Sequence, residues 1–255
     1  MGEAARNLLS QSDLPEVRGR YSLNAPLGKV GWFRTGGQAD ILFKPADVED
    51  LQKFLSEVNE SVPVKVLGVL SNAIIRDNGV EGVVIRLGRE FNVIKELEDH
   101  QMYFGSAVLD VNAAEAAADI GIAGLEFLCG IPGSIGGALA LNAGAYGSEI
   151  RDVLVHAEFI DKKGARQLLT ADDMKMSYRH SEIPEGWIAI GATPSRSPRR
   201  LRRSWGDPCL RASGCRVRKS LLCPPSLDGT STSWPPPSDM RTFASIVRRT
   251  SSSSA

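Results

Sequence analysis

Glycine is concentrated in one stretch of the chain, residues 121–147, which read GIAGLEFLCGIPGSIGGALALNAGAYG. Apolar residues separate the glycines, which is not the composition of a flexible linker and indicates backbone lying close to another group. Gly130 to Ser134 are predicted to form a tight turn, and Ile135 to Asn142 a short buried helix. Free N–H groups at that helix start suit a phosphate or a planar polar ring. Close packing of two elements explains the same glycines equally well, since the run is not a G-x-G-x-x-G fingerprint.

Two shorter glycine-containing loops could also contact a phosphate. Gly68 permits a turn after an apolar run, and Ser71 and Asn72 then offer side-chain donors beside backbone N–H groups. An ordinary turn between strands accounts for the same residues. Thr35-Gly36-Gly37 lies between two apolar segments, where a Gly-Gly pair is also typical of a hairpin turn.

The elements that carry these loops alternate irregularly between strands and helices. Asp47 is a predicted N-cap for a helix whose apolar residues recur on one face, and Gly121 is a predicted C-cap for an Ala-rich helix over 109–120. Ala73 to Ile75 and Val83 to Leu87 are predicted strands. Strands and helices without strict βαβ regularity indicate an α+β fold, and this pattern ends near Thr193.

The composition changes abruptly after that residue. Residues 194–255 carry twelve Lys and Arg against three Asp and no Glu, a balance of +9, whereas residues 1–193 have a balance of −9. Fourteen serines and eight prolines without apolar periodicity predict a disordered tail. Such a switch is what a reading-frame shift in GC-rich coding DNA would produce, and we expect one just after the codon for Thr193.

Composition also excludes several classes of protein. The formal net charge is zero, the tail has few aromatic residues among its arginines, and no run of 18 apolar residues is present, so we expect neither a nucleic-acid nor a membrane partner. The N-terminus lacks the pattern of a secretory signal, which predicts a soluble cytoplasmic protein. The cysteine spacings match no zinc or disulfide framework, so no metal site is predicted.

Four motifs in fixed order give a specific resemblance. They are GWFRTGGQADILFKPAD, VLGVLSNAIIRDNGVEGVVIRLG, the glycine-rich stretch extended to GSEI, and SYRHSEIP. Over residues 20–193 the chain resembles the UDP-N-acetylenolpyruvoylglucosamine reductases, flavoenzymes of bacterial peptidoglycan precursor synthesis, in their shorter type. The resemblance implies the vanillyl-alcohol-oxidase type of FAD fold, NADPH as reductant, a UDP-enolpyruvyl sugar as substrate and a monomeric enzyme. It also implies FAD-binding subdomains over 21–98 and 99–193, after a lead-in over 1–20 and before the tail over 194–255.

The same resemblance assigns roles to residues of this chain. Arg179 matches the catalytic arginine, whose guanidinium would hold the substrate carboxylate, and Tyr146 and Tyr178 would contact the substrate beside it. A surface salt bridge is the alternative role for Arg179 when its motif is disregarded. Cofactor-binding residues are implied in the remaining motifs: Arg34, Thr35, Gly36, Gly37, Gly68, Ser71, Asn72, Gly130, Ile131, Gly133, Ser134, Gly136, Gly137, Asn142 and Gly144.

The chain departs from the family pattern in two ways that bear on function. The family's proton-donating serine lies in a Gly-Ser-x-Phe-Lys-Asn-Pro motif, assisted by a glutamate near the C-terminus, and the printed sequence contains neither motif. Loss of a positioned proton donor costs about 10²–10⁴ in rate, so impaired activity is expected. Leu70 stands where the phosphate loop normally has a second glycine. A non-catalytic or unstable flavin-binding fragment of such an enzyme therefore remains the alternative.

Overall fold

Two β-sheets form the framework of the computed structural model, which describes residues 14–98 and 101–195. These residues all belong to one compact unit. The strands are β1 (Arg20–Pro26), β2 (Gln38–Lys44), β3 (Val64–Val66), β4 (Val80–Ile85), β5 (Ile94–Glu96), β6 (Met102–Gly105), β7 (Gly144–Ala145), β8 (Ser148–Glu149), β9 (Leu154–Ile160), β10 (Arg166–Leu169) and β11 (Ile188–Pro194). The helices are α1 (Val48–Glu57), α2 (Asp110–Asp119), α3 (Ile135–Ala140) and α4 (Ile150–Val153).

The first sheet is mixed and the second antiparallel. The first has the order β1-β2-β4-β3, in which β1 runs antiparallel to β2 while β4 runs parallel to both β2 and β3. The second has the order β10-β9-β11-β6-β5, and β7 and β8 form a separate two-stranded ribbon. This architecture confirms the predicted α+β class.

Helix α1 begins at the predicted N-cap, because the Asp47 carboxylate accepts a hydrogen bond from the Asp50 N–H at 2.9 Å. The helix buries Leu51 and Phe54 in a core that also contains Phe43 of β2. Ile188 and Ile190 of β11 belong to the same core, so the two sheets share one apolar interior. This shared core fixes the loops of the first sheet beside those of the second.

Helix α2 also ends as predicted, with Gly121 at a φ of +77°, the left-handed conformation that glycine adopts without strain. The alanines of α2 pack in a second core with Leu139 of α3 and Phe159 of β9. Small residues at that interface allow α2 and α3 to approach closely, which positions the glycine-rich turn between them.

The predicted strand over Ala73 to Ile75 is wrong, because these residues form a loop without strand pairing. The Ile75 carbonyl instead packs against Gly36, and the Gly37 N–H donates to the Arg76 carbonyl at 2.9 Å. Backbone packing against another loop, rather than pairing within a sheet, therefore occupies this segment.

Some sequence predictions lie outside the described residues. These include the proposed disorder of residues 196–255 and most of the N-terminal lead-in. The boundary expected between 98 and 99 falls between β5 and β6, which pair with each other in the second sheet. Within 14–98 and 101–195, no helix combines the length and the apolarity that a membrane crossing requires.

Candidate functional site

A cavity of about 240 Å³, here called the central cleft, lies where the loops of the two sheets meet. Four of the predicted cofactor-binding residues line it: Gly68 of the loop after β3, and Ser134, Gly136 and Gly137 at the start of α3. A Cβ added at Gly68 would lie 3.1 Å from Ser134 Oγ, so the two loops nearly touch. The structure thus brings together two motifs that are more than sixty residues apart in the sequence.

The start of α3 is held by the segment that follows β6. The Ile135 N–H donates to the Val108 carbonyl and the Gly136 N–H to the Ser106 carbonyl, both at 3.0 Å. These two N–H groups are therefore not free, contrary to the expectation for this helix start. Gly136 is required for the contact, since a Cβ there would lie 3.0 Å from the Ser106 Cβ. The residues of α3 that line the cleft are Gly136, Gly137 and Ala140, so the helix presents little side-chain volume there.

Ser106 is a polar residue of the cleft that the sequence did not indicate. Its hydroxyl is buried, and its residue is only 3% exposed, yet Oγ has no hydrogen-bond partner among the described residues. Buried hydroxyl groups in folded proteins nearly always have a partner. Ser106 lines the cleft, and an unpaired buried hydroxyl in the wall of a glycine-rich cavity is typical of a site for a polar ligand.

Arg86 is the second unforeseen residue of the cleft. It follows β4 directly and lines both the central cleft and an adjoining cavity of about 120 Å³ that Leu70 also lines. The Arg86 guanidinium forms no ion pair with any of the described residues. A half-buried cation at the carboxyl end of a parallel strand suits an anionic ligand. Arg86 could have been found from the sequence, because it directly follows an apolar strand.

A third cavity, of about 550 Å³, contains the other predicted glycine pair. Arg34, Gly36 and Gly37 line it, and it shares Pro26 with the adjoining cavity beside Arg86. The Thr35 backbone lies under it, against Gly28. Neighbouring cavities in this set share lining residues, Arg86 between the first two and Pro26 between the second and third.

Strained backbone accompanies the predicted site. Arg34, Leu70, Asn142, Tyr146 and Arg179 all have positive φ, between +42° and +57°. For Leu70 this is the conformation that a glycine would adopt without cost, and its side chain is nevertheless buried, at 5% exposure. Non-glycine residues in this conformation concentrate at functional sites, where the surroundings fix them.

The remaining predicted cofactor residues do not line the central cleft. Ser71 and Asn72 follow Leu70 in the loop after β3, and Gly144 pairs with Glu149 between β7 and β8. Gly130 lies under the Tyr146 ring, since a Cβ there would be 2.5 Å from Tyr146 Cε2, and Ile131 packs against the second core. Asn142 is buried, and its amide bonds to protein atoms.

Gly133 lies against a buried carboxyl group that sequence reasoning missed. A Cβ at Gly133 would be 2.5 Å from Asp110 Oδ2, and the Asp110 N–H donates to the Gly133 carbonyl at 3.1 Å. Asp110 is fully buried, and neither carboxyl oxygen has a partner among the described residues. Burial raises the pKa of Asp110 to about 7, because an ionised carboxylate would be desolvated there.

Arg179 occupies the tip of a tight turn. Ser177 and His180 exchange backbone hydrogen bonds of 2.9 and 3.1 Å, which leaves Tyr178 and Arg179 as the two central residues. Both side chains are exposed, and the guanidinium lies 5.9 Å from the centroid of the Tyr178 ring. Arg179 has no ion-pair partner among the described residues, which does not support the alternative of a surface salt bridge.

Comparison with protein families shows the family to which the chain belongs. Residues 39–169 match the family described as FAD binding domain. The chain belongs to the FAD-binding domain family. The matched range contains the whole glycine-rich stretch and the loop after β3 but ends before Arg179. The predicted FAD cofactor and FAD-binding fold are thereby confirmed.

Individual relatives of this FAD-binding chain agree with the resemblance drawn from its motifs. A UDP-N-acetylenolpyruvoylglucosamine reductase from Acidiphilium cryptum is 52% identical over 179 residues, which cover 70% of this chain and 58% of that protein. One from Parvibaculum lavamentivorans is 50% identical over 194 residues, covering 74% and 62%. The chain thus spans about three fifths of the length of these relatives.

A solved structure agrees as well. The crystal structure of UDP-N-acetylenolpyruvylglucosamine reductase from Thermus caldophilus superposes with a TM-score of 0.61 at 30% identity. The match covers 72% of this chain and 64% of the other. The fold of this chain is therefore similar to that of the Thermus reductase over the matched part.

Proposed function

We propose that this chain binds FAD along the central cleft and contributes to the reduction of a UDP-N-acetylglucosamine enolpyruvate to UDP-N-acetylmuramate in the cytoplasm, with NADPH as reductant. The names of its relatives support the substrate class. The observation that carries the proposal is the glycine-lined cleft with its unpaired buried Ser106 hydroxyl. Bound FAD would supply a hydride from N5 to the enolpyruvyl methylene carbon.

The residues present fit FAD in size and in chemistry. Gly136 and Gly137 leave the surface of α3 open to a planar ring, and Ser106 offers an unused hydroxyl as donor or acceptor. Arg86 places a cation where a diphosphate could bind between the central cleft and the adjoining cavity. Arg34, Gly36 and Gly37 would extend the site toward the nucleotide end.

Arg179 would act on the substrate rather than on the cofactor. Its guanidinium stays charged, is exposed, and can hold both oxygens of a carboxylate, so it would stabilise the charge that spreads onto the substrate carboxylate when the methylene carbon accepts hydride. Tyr178, whose ring lies beside the guanidinium, and Tyr146 are both exposed and would contact the same ligand. The proton that completes the reduction has no assigned donor in this chain.

A second candidate function is flavin binding without turnover. The absence of the Gly-Ser-x-Phe-Lys-Asn-Pro motif and of any glutamate in residues 194–255 favours it. Both candidates predict a yellow protein, but they differ in what reduced flavin does next. The first candidate predicts that, in the absence of oxygen, the enolpyruvyl sugar reoxidises the flavin at a rate about 10²–10⁴ below that of an intact active site. The second candidate predicts no reoxidation.

An anaerobic single-turnover experiment separates these functions. The purified chain is loaded with FAD, reduced with one equivalent of NADPH, and mixed with the UDP-enolpyruvyl sugar while flavin absorbance is recorded. We expect substrate-dependent reoxidation that Arg179→Ala abolishes and that Arg166→Ala, which removes an exposed arginine paired with Glu49, leaves unchanged. Reoxidation that is absent in the unmodified chain would contradict the reductase function and leave flavin binding alone.

A further inference from the structure

The turn that carries Arg179 adopts a conformation that its own sequence does not favour. Arg179 has a φ of +57°, and Lys175, just before the turn, has a φ of +41°. A left-handed conformation costs an ordinary L-residue free energy and persists where neighbouring groups fix it. The contacts that hold residues 176–181 therefore determine where the guanidinium lies.

Asn142 provides the central contact of this kind. Its Nδ2 donates to the Ser177 carbonyl at 2.9 Å, and its Oδ1 accepts from the Arg151 N–H at 3.0 Å. The residue is only 1% exposed, so its side chain lies inside the protein rather than on the wall of the cleft. Its own φ of +42° is one that asparagine tolerates better than most residues.

Two further bonds connect the same segment to α3 and to α4. Ser181 Oγ donates to the Leu139 carbonyl at 2.7 Å, and the Arg151 guanidinium donates to the Met176 carbonyl at 3.4 Å. Asn142 differs from these in binding a carbonyl of the turn itself. Ser177 O also accepts the His180 N–H, the hydrogen bond that closes the turn around Arg179.

We propose that Asn142 is a positioning residue for Arg179, fastening the Ser177–His180 turn to the glycine-rich stretch so that the guanidinium meets the substrate carboxylate. The proposal rests on the proposed function for the role of Arg179. It gives Asn142 a task distinct from the cofactor contact that the family resemblance implies. The glycine-rich stretch then serves both the flavin, through Gly136 and Gly137, and the substrate arginine, through Asn142.

Asn142→Asp is the sharpest substitution, because it keeps size, tolerance of positive φ and the acceptor for Arg151, while it replaces the donor to Ser177 with an oxygen. Asn24→Asp is the matched control, since Asn24 is exposed and also has a positive φ, +49°. Hydrogen exchange of the FAD-loaded full chain is measured by mass spectrometry. We expect faster exchange in the peptide containing residues 177–180 for Asn142→Asp alone.

The functional readout compares two ligands by their effect on bound flavin absorbance. The enolpyruvyl sugar carries the carboxylate, and UDP-N-acetylglucosamine lacks it. We expect Asn142→Asp to weaken binding of the enolpyruvyl sugar about tenfold, and to leave binding of UDP-N-acetylglucosamine and the FAD Kd within about twofold of the unmodified chain. In an Arg179→Ala background, Asn142→Asp should cause no further loss of binding. Additive losses in that background would show a general structural effect and overturn the proposal.

Other outcomes are equally decisive. Unchanged exchange at 177–180 would show that Asn142 does not hold the turn, and a weaker FAD affinity with an intact turn would show a cofactor contact instead. If Arg179→Ala itself has no effect on the carboxylated ligand, the proposed function fails, whereas the exchange data still decide whether Asn142 holds the turn. Should Asn142→Asp not fold, Asn142→Gly removes both side-chain bonds without backbone strain and is measured in the same way.

Discussion

Replacing Asp110 with asparagine should make the protein more stable at alkaline pH and remove part of its pH dependence. The Asp110 carboxyl is fully buried behind Gly133, without a partner among the described residues, and burial raises its pKa from 3.8 to about 7. Between these values the folded protein keeps a proton that the unfolded chain releases. The free energy of unfolding therefore falls as pH rises through this interval.

The size of the effect follows from the shift. A pKa shift of about three units, at about 1.4 kcal/mol per unit, lowers the free energy of unfolding by an amount on the order of 4 kcal/mol. This loss is complete above pH ~7 and absent below pH ~4, where both the folded and the unfolded state are protonated. Asp110→Asn is neutral at every pH and escapes this penalty. Its stability should approach that of the unmodified chain near pH 4 and exceed it by up to about 4 kcal/mol at pH 8.

Urea unfolding at a series of pH values from 4.5 to 8 measures this difference. Comparison of the two proteins isolates Asp110 from other carboxyl groups, such as Glu182, whose pKa its hydrogen bond with Lys175 lowers. Asp119→Asn, at the exposed far end of the same helix, is the control and should give a difference that does not change with pH around 7. A difference between Asp110→Asn and the unmodified chain that stays constant from pH 5 to 8 would refute the reasoning.

Three further substitutions test the cleft. Apart from adjacent residues and the backbone of its own helix, Gly137→Ala places a methyl group no closer than 3.9 Å to protein atoms. It should leave folding intact, or stabilise α3 by about 0.5–1 kcal/mol, while it weakens FAD binding. Gly88→Ala, where the added methyl group has no such atom within 4 Å, is the control. Ser106→Ala removes an unpaired buried hydroxyl, and should raise the melting temperature of the FAD-free protein but lower its affinity for FAD in fluorescence titration. Leu70→Gly relieves about 1–2 kcal/mol of strain but loses about 2–5 kcal/mol of buried packing, so urea unfolding should show a net loss without a loss of FAD affinity.

Features with local causes were predictable from the sequence. Asp47 caps α1 and Gly121 ends α2 because a cap depends on a few neighbouring residues. The error at Ala73 to Ile75 has a tertiary cause, since Gly36 and Gly37 draw that segment into backbone packing with another loop. Local β propensity carried no information about that contact.

The candidate site likewise contains residues that the sequence indicated and residues that only the structure reveals. Glycine motifs indicated Gly68, Gly136 and Gly137, which the structure brings into one cleft. Ser106 and Asp110 become notable only when burial leaves their oxygens without partners, which composition and spacing do not reveal. The task of Asn142 depends on a carbonyl 35 residues away, so its motif predicted a functional residue but not which group it contacts.

FAD titration of the purified full chain tests the central claim most directly. We expect a yellow protein, or uptake of added FAD at one equivalent with quenching of flavin fluorescence, and weaker uptake in Gly137→Ala than in Gly88→Ala. A colourless, folded protein that takes up no FAD would contradict the assignment of the central cleft as a flavin site.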